Sequence, residues 1–280
     1  MEMLNSNLFI LGGNGIIGST IKELYFNNNS VKFLSRDSII NPFDLSQPTK
    51  FSYDRILKND QVLLLSAISK PVECENLSIS NLINVINTEI VIKNILERGA
   101  HLIFASSDTV YGGDDQKTFN EFDILNPKSK YAEQKAIIEE KFKNCLNFSV
   151  FRFSQCLSGY DSFSKYLIES IKNNEEISIN TGFYRNIFDQ FLLKLLIDRI
   201  LLNSSRPSVM NIGGDGCEDR LEFFEKLILY YPKITLKKYD DNNKDKISKI
   251  KISNKVMKNY LNISESNFNY EYFINKIVNK

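Results

Sequence analysis

Tyr131-Ala132-Glu133-Gln134-Lys135 places a phenol and an ammonium four residues apart, the spacing at which two side chains share one face of a helix. A phenol with an ordinary pKa near ~10 is a poor proton carrier at neutral pH, but a nearby cation stabilises the phenolate and lowers that value. A Tyr tuned in this way can give a proton to a carbonyl oxygen as hydride reaches the carbon, or take one in reverse. Tyr-x-x-x-Lys is common on surface helices, so the pair gains meaning only from its surroundings. Upstream, Ala105-Ser106-Ser107-Asp108-Thr109-Val110-Tyr111-Gly112 ends a buried strand in a run of hydroxyl groups. The carboxyl end of such a strand is where α/β folds bind ligands.

A second chemical signal stands at the start of the chain. Leu8 to Leu11 is a short apolar strand, followed by Gly12-Gly13-Asn14-Gly15-Ile16-Ile17-Gly18 and a segment of helical period. Glycines allow a sharp turn and let a pyrophosphate approach the backbone N–H groups, while the helix N-terminus favours negative charge. The spacing is Gly-x-x-Gly-x-x-Gly, one residue looser than the usual dehydrogenase fingerprint. Gly12, Asn14, Gly15, Ile16, Ile17 and Gly18 are the expected cradle of a nicotinamide dinucleotide. At the end of the second strand an acid would bond the ribose hydroxyls, whereas Arg accommodates a 2′-phosphate. Ser35 and Arg36 stand there, so NADP(H) is favoured over NAD(H), although Asp37 follows directly. Asp44 and Leu45 lie where a third-strand turn could flank the adenine, and Ser66 and Ala67 after the next strand complete the cofactor set.

The elements that must position these groups alternate. Strands are expected at Leu8 to Leu11, Val31 to Leu34, Val62 to Leu65, Leu102 to Ala105, Phe148 to Phe153 and Val209 to Ile212. Helical periods run over Ile16 to Phe26, Leu82 to Glu97, Tyr131 to Lys143, Phe163 to Lys172 and Phe191 to Leu202, with another from about Arg220. Repeated strand-helix-strand order implies an α/β fold, a Rossmann-type doubly wound parallel sheet with right-handed crossovers. Residues 1–156 read as the dinucleotide-binding domain, and 157–280 as a smaller C-terminal substrate-binding lobe interleaved with it. The stretch Lys237 to Lys251 reads as a solvated loop with a short strand.

Composition narrows the partners. With 280 residues, 42% hydrophobic and 25% charged, the chain can bury a substantial core without metal or disulfide. Lys plus Arg total 35 against 34 Asp plus Glu, so no net field draws it to nucleic acid or an anionic membrane. The four cysteines, Cys74, Cys145, Cys156 and Cys217, form no CxxC pair; they read as packing residues in a reducing cytoplasm rather than a metal site. No apolar run approaches the ~18 residues of a membrane span, so a soluble, cytoplasmic protein is expected.

Taken together, Gly12, Gly15 and Gly18, then Asn84-Val85-Ile86-Asn87-Thr88, then Ser106 to Gly112, then Tyr131 to Lys135 resemble the extended short-chain dehydrogenase/reductase family, the NAD-dependent epimerase/dehydratase group that acts mainly on nucleotide sugars. Glu121 to Lys130 is similar to the family's run before the catalytic Tyr. The resemblance implies that Ser107 holds the substrate oxygen, that Tyr131 transfers the proton, and that Lys135 serves the ribose and the Tyr pKa. It makes Asn84 a structural or water-holding member of the set. Asp108, Thr109 and Tyr111 would border the substrate. Arg185-Asn186-Ile187-Phe188 resembles a segment in which the Arg holds a substrate diphosphate, and Asn211-Ile212-Gly213-Gly214 matches a structural strand. A homodimer and a role in surface-polysaccharide or deoxysugar assembly are also implied by the family.

Within it, dehydratases place Glu where Thr109 stands, and Thr cannot act as their base. The 3,5-epimerase/reductases need a His, and the single histidine, His101, opens a buried strand and reads as structural. What remains needs only Ser, Tyr, Lys and cofactor. Reduction of a 4-keto deoxysugar nucleotide comes first, because Arg36 favours NADPH and the chain is compact. The alternatives are a nucleotide-sugar 4-epimerase with tightly bound NAD, and a non-catalytic dinucleotide sensor of redox state or of a partner.

Overall fold

The computed structural model describes residues 6–114, 116–180, 182–202, 205–231, 233–239 and 249–275. Six strands form one sheet: β1 (Leu8–Leu11), β2 (Val31–Leu34), β3 (Gln61–Leu64), β4 (His101–Ser107), β5 (Phe148–Phe153) and β6 (Val209–Ile212). All neighbours are parallel, in the order β6-β5-β4-β3-β1-β2. The chain therefore leaves β1 for β2 on one side and returns to β3 on the other. Loops at the carboxyl ends part at such a reversal and open a crevice. No strand forms around Asp44 and Leu45; residues 36–47 are a loop beside that crevice.

Each strand feeds two cores, because successive side chains point to opposite faces. Leu8 and Ile10 join the core under α1 (Ile16–Tyr25), whereas Phe9 and Leu11 join the one under α2 (Thr88–Glu97) and α3 (Lys130–Phe142). This two-sided burial explains the near-continuous apolar runs in the sequence. α1 shares its face with α5 (Gln190–Leu202), whose Leu192, Leu193, Leu196 and Ile197 are buried.

The expected single helix from Leu82 to Glu97 is in fact two windings. Leu82–Asn87 turns in wide π fashion before α2 begins. π turns recur at functional sites; here the widening brings Asn84 and Asn87 into buried positions. The other boundaries agree within a few residues.

In the second half, α4 (Ser162–Asn173) and α6 (Arg220–Ile228) pack with the paired segments Ile177–Asn180 and Leu236–Tyr239 around a separate aromatic-rich core. β6 and α5, also from this half, return to the main sheet layers. Residues 240–248 of the expected Lys-rich loop lie outside the described ones. Cys74 and Cys156 are buried, but Cys145 is exposed and so is not the packing residue expected. No helix among the described residues is long and apolar enough to cross a membrane.

Candidate active site

Gly12 has φ +97, a conformation that disfavours side chains, and a Cβ there would stand 2.7 Å from the Ser66 backbone nitrogen. A Cβ on Gly18 would meet the Gly12 carbonyl oxygen, also at 2.7 Å, so this glycine lets α1 pack onto the turn. Gly15 differs. A Cβ there would meet nothing nearer than the Gly12 oxygen at 3.6 Å, and Gly15 lines the crevice. Gly15 is the N-cap of α1 without any side-chain cap, and the first turn has no acid. Its free end and open flank are suited to an anion. Ile16 is exposed and Ile17 packs against the core, so both would serve a ligand through their backbone N–H groups alone.

The crevice is a cavity of about 560 Å³ at the carboxyl ends of β1, β2 and β3. It collects most of the expected cofactor residues: Gly12, Asn14, Gly15, Ser35, Arg36, Asp44, Leu45, Ser66 and Ala67. Ile16, Ile17 and Gly18 stand behind them. Arg36 is exposed at the rim, where the Asn14 Nδ2 donates to Asp37 Oδ2 at 2.6 Å. Size, the uncapped helix end and the open side of Gly15 fit a dinucleotide.

Two asparagines of the π turn hold the cavity's loops. Asn84 accepts from Ile68 N and donates to Ile68 O, both at 2.8 Å, and Asn87 donates to Leu45 O at 2.9 Å. Asn84 thus clamps the Ile68 peptide through both ends of its amide.

The catalytic candidates meet where β4 ends. Ser129 caps α3 by accepting from Ala132 N, which starts the helix just before Tyr131. Lys135 is buried and donates to Ala105 O at 2.6 Å, with its Nζ 4.4 Å from the Phe104 ring centre and 5.6 Å from that of Tyr131. Burial lowers its pKa to about 8, opposed by Glu139 one turn on. The ammonium does not lower Tyr131 as expected. Burial, and then the charges of Cys74 and Asp108, push that phenol well above its ordinary value. The expectation failed because Lys135 reaches toward β4 instead of toward the hydroxyl.

Ser107 Oγ accepts from Thr109 Oγ1 at 2.9 Å and from Thr109 N, and lies 3.3 Å from Asp108 Oδ1. Asp108 is buried, accepts from Ser154 Oγ at 2.7 Å and faces Arg185 Nε at 3.8 Å. Burial raises its carboxyl, opposed by Arg185, Ser154 and Ser107. Two more of the expected substrate contacts are buried. Arg185 is only 5% exposed, donates to Tyr184 O at 2.7 Å and lies over the Phe183 ring, so the lobe holds it in place. Tyr111 is 1% exposed, stacks on Phe119, accepts from Arg152 Nη1 at 2.7 Å and bonds Asn211 Oδ1 at 2.8 Å. Its hydroxyl belongs to the core. His101 bonds Ser149 at 3.0 Å, and burial, followed by Arg206, lowers its pKa to about 4.

One buried network escaped the sequence reading. Arg152, on β5, donates to Glu139 Oε2 through Nε at 3.0 Å and Nη2 at 2.6 Å, while Ser106 Oγ donates to Glu139 Oε1. Glu121 Oε1 in turn accepts from Asn211 N at 3.0 Å. An Arg inside the apolar run Phe148–Phe153, and a Glu four residues after Lys135, were the signals available.

A family model, the RmlD substrate binding domain, matches residues 6–184. No curated protein matches the chain. Among solved structures, dTDP-4-dehydrorhamnose reductase from Bacillus anthracis str. Ames in complex with NADP is 18% identical, with a TM-score of 0.82 over 99% of both chains. MoeE5 in complex with UDP-glucose and NAD is 20% identical, with a TM-score of 0.76 over 97% of both. RMD from Pseudomonas aeruginosa complexed with NADPH is 16% identical, with a TM-score of 0.78 over 98% of this chain and 96% of that one. These likenesses establish a common fold.

Proposed function

The chain belongs to the RmlD substrate binding domain family, and we propose that it is an NADPH-dependent reductase of a 4-keto deoxysugar nucleotide. The observation that carries this reading is the environment of Tyr131. Lys135 Nζ stands 5.6 Å from the Tyr131 ring centre and donates to Ala105 O at 2.6 Å, on the strand that ends in Ser107. A phenol beside an ammonium, at the end of the strand that carries Ser107, is placed to give a proton to a carbonyl oxygen as hydride reaches the carbon.

In this reading Ser107 orients the substrate oxygen and Tyr131 supplies its proton. Lys135 would hold the ribose, the N–H groups at the start of α1 the pyrophosphate, and Arg36 the 2′-phosphate. The dinucleotide, when bound, supplies the hydride. The structures of related fold are bound to NADP or NADPH in two cases and to NAD in another, so they are compatible with either cofactor. Asp37, beside Arg36 and held by Asn14, favours NAD and with it the second reading, a 4-epimerase that retains its cofactor. A homodimer working in the cytoplasm on polysaccharide or deoxysugar precursors goes with either reading.

The test is the loss of reduced-nicotinamide absorbance when purified protein and NADPH meet dTDP-, UDP- and GDP-linked 4-keto-6-deoxy sugars, repeated with NADH. Rapid oxidation with one sugar, faster with NADPH, is expected. Silence across the panel, with NAD retained on the purified protein, would overturn the reductase in favour of the epimerase.

A further inference from the structure

We propose that Gln134 is a positioning residue that ties the catalytic helix α3 to the loop flooring the dinucleotide cavity, so that cofactor binding and the placing of Tyr131 and Lys135 are one event. Gln134 stands three residues after Tyr131 and one before Lys135, and is 2% exposed. Its Oε1 accepts from Asn84 Nδ2 at 2.7 Å, while its Nε2 donates to Ser80 Oγ at 2.8 Å and to Asn81 Oδ1 at 3.0 Å. Asn84 spends its remaining groups on both sides of the Ile68 peptide. From Ser80 the chain of bonds continues to Cys74 O at 3.1 Å, and Cys74 Sγ returns to Ile68 O at 3.4 Å.

A closed ring results: Ile68, Asn84, Gln134, Ser80, Cys74 and back to Ile68. It encloses the segment whose Ile68, Ser69, Lys70 and Glu73 line the cavity. A buried amide with both its oxygen and its two N–H groups engaged fixes its neighbours more firmly than isolated bonds would. A shift of the loop around a ligand is therefore felt at the helix turn bearing Tyr131 and Lys135, and the reverse.

This inference rests on the dinucleotide reading, and its test separates the two. Gln134→Met keeps the length of the side chain and removes its hydrogen bonds. In the ligand-free protein, amide exchange at Ile68 is expected to quicken about tenfold, the factor carried by a hydrogen bond of ordinary net strength. NADPH, followed by fluorescence titration, is expected to bind about tenfold more weakly. In an Asn84→Leu background, Gln134→Met should add no further loss of affinity, because both act through one ring. The exposed Asn81→Ala, which leaves the core intact, should move both readouts in the same direction by a smaller factor. Unchanged exchange at Ile68, or fully additive losses in the double variant, would overturn the proposal. Failure of the wild-type protein to bind any nicotinamide dinucleotide would overturn the cofactor reading, while the exchange result still decides the ring.

Discussion

The carboxyl ends of β1 to β3 and those of β4 and β5 are neighbours along one sheet edge, yet they are made differently. The first group builds a cavity from glycine backbone, a bare helix end and loop residues whose charges, Arg36, Asp37, Asp44, Lys70 and Glu73, are not buried. The second buries Asp108, Lys135, Glu139, Arg152 and Arg185, each against a partner. Shape is the working material on one side and compensated charge on the other. Shape tolerates side-chain changes wherever backbone does the binding, whereas a buried charge tolerates no loss of its partner.

The largest expected effect comes from breaking that compensation. Arg152→Met leaves Glu139 buried without its guanidinium and should cost about 3–5 kcal/mol, measured by urea unfolding. Arg36→Ala at the rim should stay within about 0.5 kcal/mol in the same measurement. Similar losses for both would erase the contrast between the two halves.

Within the cavity the glycines should divide. Gly18→Ala forces a backbone shift and should cost about 1–3 kcal/mol of stability. Gly15→Ala, which has room, should leave stability nearly unchanged while weakening NADPH binding at least about tenfold, since the methyl group occupies the anion's approach. Equal binding by Gly15→Ala would remove the anion from the end of α1.

Acidity probes the charged half more gently. Turnover should fall as pH rises through about 8, where Lys135 gives up its proton. Stability should move the other way. The unfolded chain still holds that proton up to about 10.5, so between the two values it binds more protons than the folded one, and this group's contribution grows with pH. His101 acts at the acid end: its share of stability is lost as pH falls from 6.5 toward about 4. Substituting Gln at His101 should flatten that arm of a melting-temperature profile. The smallest effect is Arg36→Ala on cofactor choice, a reduction of about five- to tenfold in the affinity ratio of NADPH to NADH. An unaltered ratio would leave Asp37 as the residue in command.

The same contrast explains what the sequence could reveal. The cavity half follows local rules: a strand, glycines at fixed offsets and a helix start, so Gly12, Gly15, Ser35 and Ser66 could be placed together from spacing alone. The charged half depends on which way long side chains turn after folding. Spacing put Tyr131 and Lys135 on one helix face, but only packing shows Lys135 bonded to Ala105 and Tyr131 pushed up in pKa. Tyr111 and Arg185 were recognisable as residue types, and their burial was not. The π turn at Leu82–Asn87 has the same apolar pattern as an ordinary helix, so the inward turn of Asn84 and Asn87, and the ring through Gln134, had no signature in periodicity.

Proton transfer by Tyr131 is tested most directly by Tyr131→Phe, with turnover on the responsive 4-keto sugar nucleotide and NADPH affinity measured side by side. A loss of about 10²–10⁴-fold in turnover with cofactor binding intact is expected; turnover equal to that of the wild-type protein would contradict it.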